Sequence, residues 1–181
     1  MEQKGVWMVR VSILSFDPGT AHTGYSLTQG NLETSELRLH PDYWGVIKTS
    51  LEDGSVRERI DSIGEDIAEL IDVLKPTHVV VEDFTEQGKQ SGKTYKEMAW
   101  LIEHIRMVGR SRHHEITLYE NAEWKKIATG TKGLNKQQVQ HFVTHKVKGI
   151  DVLLRKKTAS HVWDSVGIGY AKFIQLQGGD K

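Results

Sequence analysis

Three carboxylates in this 181-residue chain fall where an apolar strand or a helix end meets solvent. Asp17 directly follows the β-rich run Val9–Phe16 (VRVSILSF), and Glu82 closes the apolar run His78–Glu82 (HVVVE). Asp164 lies in the first turns of a helix predicted over Ser160–Leu176. Each one alone reads equally well as a helix cap or a surface group; the combination carries the chemistry. If the first and fourth strands are neighbours, Asp17 and Glu82 leave the same sheet edge. Two like charges ~4 Å apart repel by about 4 kcal/mol at an effective dielectric of ~20, so a cluster of three requires a cation or a proton. Hard oxygen donors, few in number, suit Mg²⁺ or Mn²⁺. His161 stands three residues before Asp164, on the same helix face, where it can ligate a metal or donate a proton. The default for an isolated histidine is a satisfied surface or core residue. The chain has no cysteine, which excludes disulfide scaffolds, Cys-ligated zinc and thiol nucleophiles together.

These side chains need a scaffold, and the pattern supplies one. Val9–Phe16 ends at Asp-Pro-Gly, a strand followed by a turn, and Gly24–Thr28 and Trp44–Thr49 (WGVIKT) continue a meander. Between Ser55 and Leu74 the apolar residues Val56, Ile60, Ile63, Ile67, Leu70, Ile71 and Leu74 have helical spacing, and Pro76 ends that helix. His78–Glu82 reads as a central strand buried on both faces. A Gly- and Lys-rich loop, Glu86–Lys93, leads to a helix over Thr94–Arg112 with Met98, Leu101, Ile102, Ile105 and Val108 on one face. Glu115–Tyr119 is a fifth strand. Asn121 then reads as the cap of a short helix through Ile127, and Asn135 as the cap of Lys136–Val147. This order predicts an α/β domain, a five-stranded mixed sheet with helices on both faces.

Composition narrows the function. At 27% charged and 38% hydrophobic residues the chain is globular rather than disordered. It contains no run of about 18 apolar residues and opens without an apolar h-region, so a soluble, cytoplasmic protein is expected. The formal net charge of zero conceals a polarity. Residues 1–87 hold 7 Lys+Arg and 16 Asp+Glu, a net of −9; residues 88–181 hold 17 and 8, a net of +9. Chance segregation gives such asymmetry, and so does an acidic metal site beside a basic groove for a polyanion.

The segments SFDPGTAHTGYSL, HVVVEDF, NAEWKKIATGTKGLNKQQVQHFV and HVWDSVGIGYA follow in that order between residues 15 and 171. They resemble the successive motifs of the RuvC-type Holliday junction resolvases. The resemblance implies an RNase H-like fold in a single domain over 1–181, with short tails at about 1–8 and 177–181. It also implies a Mg²⁺-dependent homodimer, with two ions per active site and Mn²⁺ as a substitute, that resolves four-way DNA junctions by paired symmetric nicks. The acidic tetrad of the family falls on Asp17, Glu82, His161 and Asp164, with Asp17 bridging the two ions. Many relatives carry Asp where this chain has His161, which removes one negative charge and leaves a group that titrates near neutral pH.

The catalytic and DNA-binding lysines of the family fall on Lys125 and Lys136, and Lys126 and Lys132 keep that segment basic. An aromatic wedge falls on Phe84, one residue closer to the preceding Glu than in cellular relatives; Phe84 also reads as a core residue at the start of its loop. Lys89 and Lys93 of that loop would track phosphates. The shortened spacing suits a phage-encoded member with relaxed branch preference, acting in a bacterial or host cytoplasm. A branch-migration motor is a further partner the family allows, and a membrane is not.

Other readings stand beside this one: a nuclease for forks or flaps, a non-cleaving DNA-binding relative, or a small NTPase. The NTPase reading rests on Gly88–Thr94 (GKQSGKT), one residue short of a Walker loop. His141 and His145 share a helix face as a zinc pair would, but with no third ligand placed beside them a surface role is simpler. Trp100 adds to the apolar stripe at Met98, Leu101, Ile102 and Ile105, part of which could serve a dimer interface, although core packing is the simpler account.

Overall fold

Alternation in RVSILSFD sends Leu14 and Phe16 to one face of a strand and Ile13, Ser15 and Asp17 to the other. The computed structural model describes residues 10–84, 92–155 and 159–178 and places this strand, β1 (Arg10–Asp17), at the centre of a five-stranded sheet. β2 (His22–Asn31) and β3 (Glu36–Lys48) continue from it as an antiparallel meander. Helix α1 (Val56–Leu74) then crosses over to β4 (His78–Asp83), which pairs parallel to β1. Helix α2 (Gly92–Ser111) leads to β5 (Ile116–Glu120), parallel to β4, and the sheet order is β3-β2-β1-β4-β5. Helices α3 (Asn121–Thr129), α4 (Lys136–Lys146), the single turn α5 (Asp151–Leu154) and α6 (Ser160–Gly178) complete the chain.

Each face of the sheet carries its own apolar layer. Ile60, Ile63, Ile67 and Ile71 of α1, with Leu101, Ile102 and Ile105 of α2, cover Leu14, Phe16, Val79 and Val81. On the other face Trp124, Val139, Val143, Val166 and Phe173, from α3, α4 and α6, cover Ile13, Leu37, Leu39 and Val80. Helix α1 starts on a reciprocal cap in which the Ser55 hydroxyl accepts from the Glu58 N–H and the Glu58 carboxylate from the Ser55 N–H. It stops at Lys75, in the left-handed region just before Pro76.

The predicted fold class matches this architecture, and the differences have physical causes. β3 begins at Glu36 rather than Trp44: Leu37 and Leu39 alternate inward, and Pro41 is accommodated because β3 is an edge strand. Asn121 is the first residue of α3 rather than its cap; Glu120 takes the cap position. Helix α6 continues to Gly178, past the predicted start of a tail. Gly92 and Lys93, expected in a loop, open α2, while Lys89 and the rest of 85–91 lie outside the described residues. Among the described residues no helix is long and apolar enough to cross a membrane.

Candidate active site

The register of β1 and β4 builds the centre. Phe16 lies opposite Val81 in parallel pairing, so the next residues, Asp17 and Glu82, leave side by side toward the face that α6 covers. The turn after Asp17 is held from both sides. The Thr23 hydroxyl accepts from the Gly19 N–H (3.2 Å) and donates to the Gly19 carbonyl (3.0 Å). The Thr20 carbonyl accepts from the Thr49 hydroxyl (2.6 Å) and from the buried Arg59 guanidinium (3.2 Å). Helix α6 then comes down onto β2 at Gly24, where a Cβ would lie only 2.3 Å from the His161 carbonyl oxygen. That close approach delivers His161 and Asp164 to the two strand carboxylates.

Hydrogen bonds tie the cluster together. His161 Nδ1 is 2.6 Å from Asp17 Oδ2. Glu82 accepts twice from α3: Asn121 Nδ2 donates to Oε1 at 2.9 Å and Trp124 Nε1 to Oε2 at 2.7 Å. Lys125 donates to Asn121 Oδ1 at 2.8 Å and lies 5.4 Å from the Trp124 ring centroid. Lys136, at the start of α4, donates to the Ser160 hydroxyl at 3.1 Å.

The electrostatics are those of crowded acids. Burial, reinforced by the charges of Asp17 and Asp164, raises the Glu82 carboxyl to about 7 against the two hydrogen bonds that favour its anion. Burial and Asp17 raise Asp164 to about 6, with Lys125, Lys136 and His161 pulling the other way. The hydrogen bond to Asp17 raises the His161 imidazole above its ordinary value in spite of burial. Among the described residues no three His, Asp or Glu side chains already converge as a metal cage. The donor chemistry nevertheless fits a hard divalent cation, because buried oxygens that resist ionising beside one another are what such an ion stabilises.

The structure thus brings Asp17, Glu82, His161 and Asp164 to one end of the sheet, with Lys125 and Lys136 close enough to act on Asp164. Lys126 and Lys132 are exposed, on α3 and on the link to α4. Lys93 is exposed and lies 3.9 Å from Glu97. Phe84 is half-buried against the α1/α2 layer, its ring centroid 6.1 Å from that of Tyr95. His145 Nδ1 is engaged by the His141 carbonyl at 2.7 Å. In the α2 stripe Met98, Leu101, Ile102 and Ile105 are core, whereas Trp100 is 55% exposed.

Sequence reasoning gives Trp124 and His22 no role and reads Asn121 only as a helix cap. A lone tryptophan in the polar run NAEWKK is the one signal that could have pointed to α3. His22 is exposed at the start of β2, its ring parallel to that of His161 with centroids 6.4 Å apart.

Comparison with known proteins follows the same lines. The family model for crossover junction endodeoxyribonuclease RuvC matches residues 13–170. The crossover junction endodeoxyribonuclease RuvC of Chlorobium phaeovibrioides is 26% identical over 179 residues, covering 93% of this chain and 84% of the relative. That of Heliobacterium modesticaldum is 31% identical over 132 residues, covering 72% and 76%. Among solved structures, Thermus thermophilus RuvC in complex with a Holliday junction substrate superposes with a TM-score of 0.72 at 18% identity, covering 93% of this chain and 96% of that one. The yeast mitochondrial Holliday junction resolvase follows at 0.62 and 14% identity, covering 91% and 79%.

Proposed function

This chain belongs to the RuvC crossover junction endodeoxyribonuclease family, and we propose that it resolves four-way DNA junctions by metal-dependent hydrolysis of one phosphodiester in each of two opposed strands. The observation that carries this reading is the meeting of Asp17, Glu82, His161 and Asp164 at one sheet end, rimmed by Lys125 and Lys136. In this reading Asp17, Glu82 and Asp164, with His161 beside them, would hold two Mg²⁺ ions, with Mn²⁺ as a substitute. Divalent ions held there supply charge neutralisation and a water acidic enough to attack phosphorus near neutral pH.

The protein's own groups do the rest. His161, bonded through Nδ1 to Asp17 Oδ2, fixes the orientation of that carboxylate and holds the proton between them. Lys125 and Lys136 set ammonium groups against the negative charge that builds on the phosphate. Lys126, Lys132, Lys89 and Lys93 bind the DNA backbone and carry no sequence information. Phe84, beside Tyr95 at the end of β4, supplies an aromatic face on which an unpaired base can stack.

Paired nicks require two sites, so the working unit is a homodimer of a single-domain chain acting in the cytoplasm. Trp100 and Met107, more than half exposed on α2, are among the apolar side chains that could serve its interface. One observation favours a second, broader specificity. Phe84 follows Glu82 by only two residues and rests on the α1/α2 layer; an aromatic held against the core instead of projecting into the branch point would discriminate less between closed junctions and forks or flaps.

The test is a labelled four-way junction, a fork and a linear duplex, each incubated with protein and Mg²⁺ and then with EDTA. Paired symmetric nicks confined to the junction and abolished by EDTA are expected, and Asp17→Asn should bind the junction without cutting it. Equal cutting of linear duplex would overturn the junction reading, and cutting of forks alongside junctions would establish the broader one.

A further inference from the structure

We propose that Asn121 and Trp124 are positioning residues that fix the Glu82 carboxylate, from helix α3, in the orientation from which it binds a divalent cation. The inference rests on the reading of Glu82 as a metal ligand. A glutamate at the end of a strand has three side-chain torsions to settle, and its neighbours on β1 and α6 are carboxylates that repel it. Here both of its oxygens are claimed by N–H donors, at 2.9 Å from Asn121 and 2.7 Å from Trp124. A carboxylate oxygen accepts more than one hydrogen bond, so each keeps a free acceptor direction for an ion.

Both donors are themselves fixed. Trp124 is fully buried, and its ring lies against Gly167 of α6, where a Cβ would come within 2.8 Å of the ring. The ring is thus clamped between α3 and the helix that carries His161 and Asp164. Asn121 is oriented by its other neighbour. The Lys125 ammonium can only donate, so it takes Asn121 Oδ1 at 2.8 Å and turns the amide nitrogen to Glu82. Groups that orient a metal ligand in this way typically contribute 10- to 100-fold to metal affinity.

The experiment is a titration of the full chain with Mn²⁺ alone, free ion being counted by electron paramagnetic resonance, with thermal melting to verify folding. Trp124→Phe removes the donor and keeps an aromatic ring, with a cavity left beside Gly167 that the melting measurement registers; Asn121→Leu keeps the size and removes the amide. Each should weaken Mn²⁺ binding by about ten-fold. Glu82→Gln should weaken it at least as far, and adding Trp124→Phe to Glu82→Gln should change nothing more, because the tryptophan acts through that carboxylate. Wild-type affinity in both single variants, alongside loss in Glu82→Gln, would overturn the positioning role and leave the ligand reading intact. Wild-type affinity in Glu82→Gln would instead overturn the ligand reading. If Trp124→Phe fails to fold, Asn121→Leu and its combination with Glu82→Gln decide the matter.

Discussion

Removing the carboxylate charge of Asp164 should stabilise the metal-free protein while abolishing its activity. Burial and the neighbouring Asp17 raise this carboxyl from 3.8 to about 6. A group whose folded pKa lies above its unfolded one contributes its full stability below about pH 4 and loses it as the pH rises through 6. At about 1.4 kcal/mol per pH unit, the charged carboxylate costs the native state about 3 kcal/mol at pH 8. Asp164→Asn keeps the size and removes the charge. The expected gain is about 1–3 kcal/mol, the lower end because the amide remains a buried polar group. For a domain of this size that is about 2–4 °C in melting temperature per kcal/mol. The assay is thermal or urea unfolding in EDTA at pH 8 and at pH 4. The variant should be the more stable at pH 8 and equal to wild type at pH 4. Saturating Mg²⁺ at pH 8 should narrow the gap by stabilising only the wild type. A variant less stable than wild type at pH 8, or one with the same gain at both pH values, would refute the reasoning.

The imidazole of His161 is raised by its bond to Asp17, so its contribution is present below the ordinary histidine pKa and fades as the pH rises through the folded value. His161→Ala should therefore lose more stability at pH 6 than at pH 10 in urea titrations. Gly24→Ala places a methyl 2.3 Å from the His161 carbonyl and must push α6 off β2; a stability loss of about 1–3 kcal/mol is expected, together with slower nicking. Wild-type melting and cutting rates for that variant would mean the helix is not seated there. Junction affinity should fall steeply with salt, and replacing Lys132 or Lys126 with Gln should lower the slope of log K against log salt by about one for each phosphate no longer neutralised. An unchanged slope would place those lysines off the DNA.

Much of this was legible because local patterns and tertiary burial agree. The isoleucines of α1 recur at helical spacing and bury as a stripe, and the VVV run is central because both faces of β4 are covered. Asp17 and Glu82 could be paired in advance since both end apolar strands, and parallel neighbours bring such ends together. What escaped the sequence depends on partners distant in the chain. Nothing in NAEW says that Asn121 and Trp124 reach back about forty residues to Glu82, and a propensity argument assigns that asparagine to a cap instead. The first half of β3 was hidden by Pro41, which only the edge position excuses. His161 was seen, but its bond to Asp17 joins residues at opposite ends of the chain.

The cancelling charges of the two halves become intelligible once the sheet is assembled. Asp17 and Glu82 come from the acidic half, whereas Asp164 is carried into their neighbourhood by α6 from the basic half, along with Lys125 and Lys136. The centre is therefore negative and its rim positive, within one small surface. Under the proposed function, a DNA phosphate approaching without metal would meet attraction from the lysines and repulsion from the carboxylates. At ~4 Å and an effective dielectric of ~20 each such pair would amount to about 4 kcal/mol, and three carboxylates outnumber the two lysines. Phosphates farther along the duplex would meet the exposed Lys126 of α3 and Lys132 of the link to α4. The proposed function then predicts binding that persists without metal, with the phosphate to be cut approaching the carboxylates closely once cations neutralise them. The net charge of zero thus hides a local separation of sign, carboxylates at the sheet end and lysines around them, within a chain whose 24 basic and 24 acidic residues cancel.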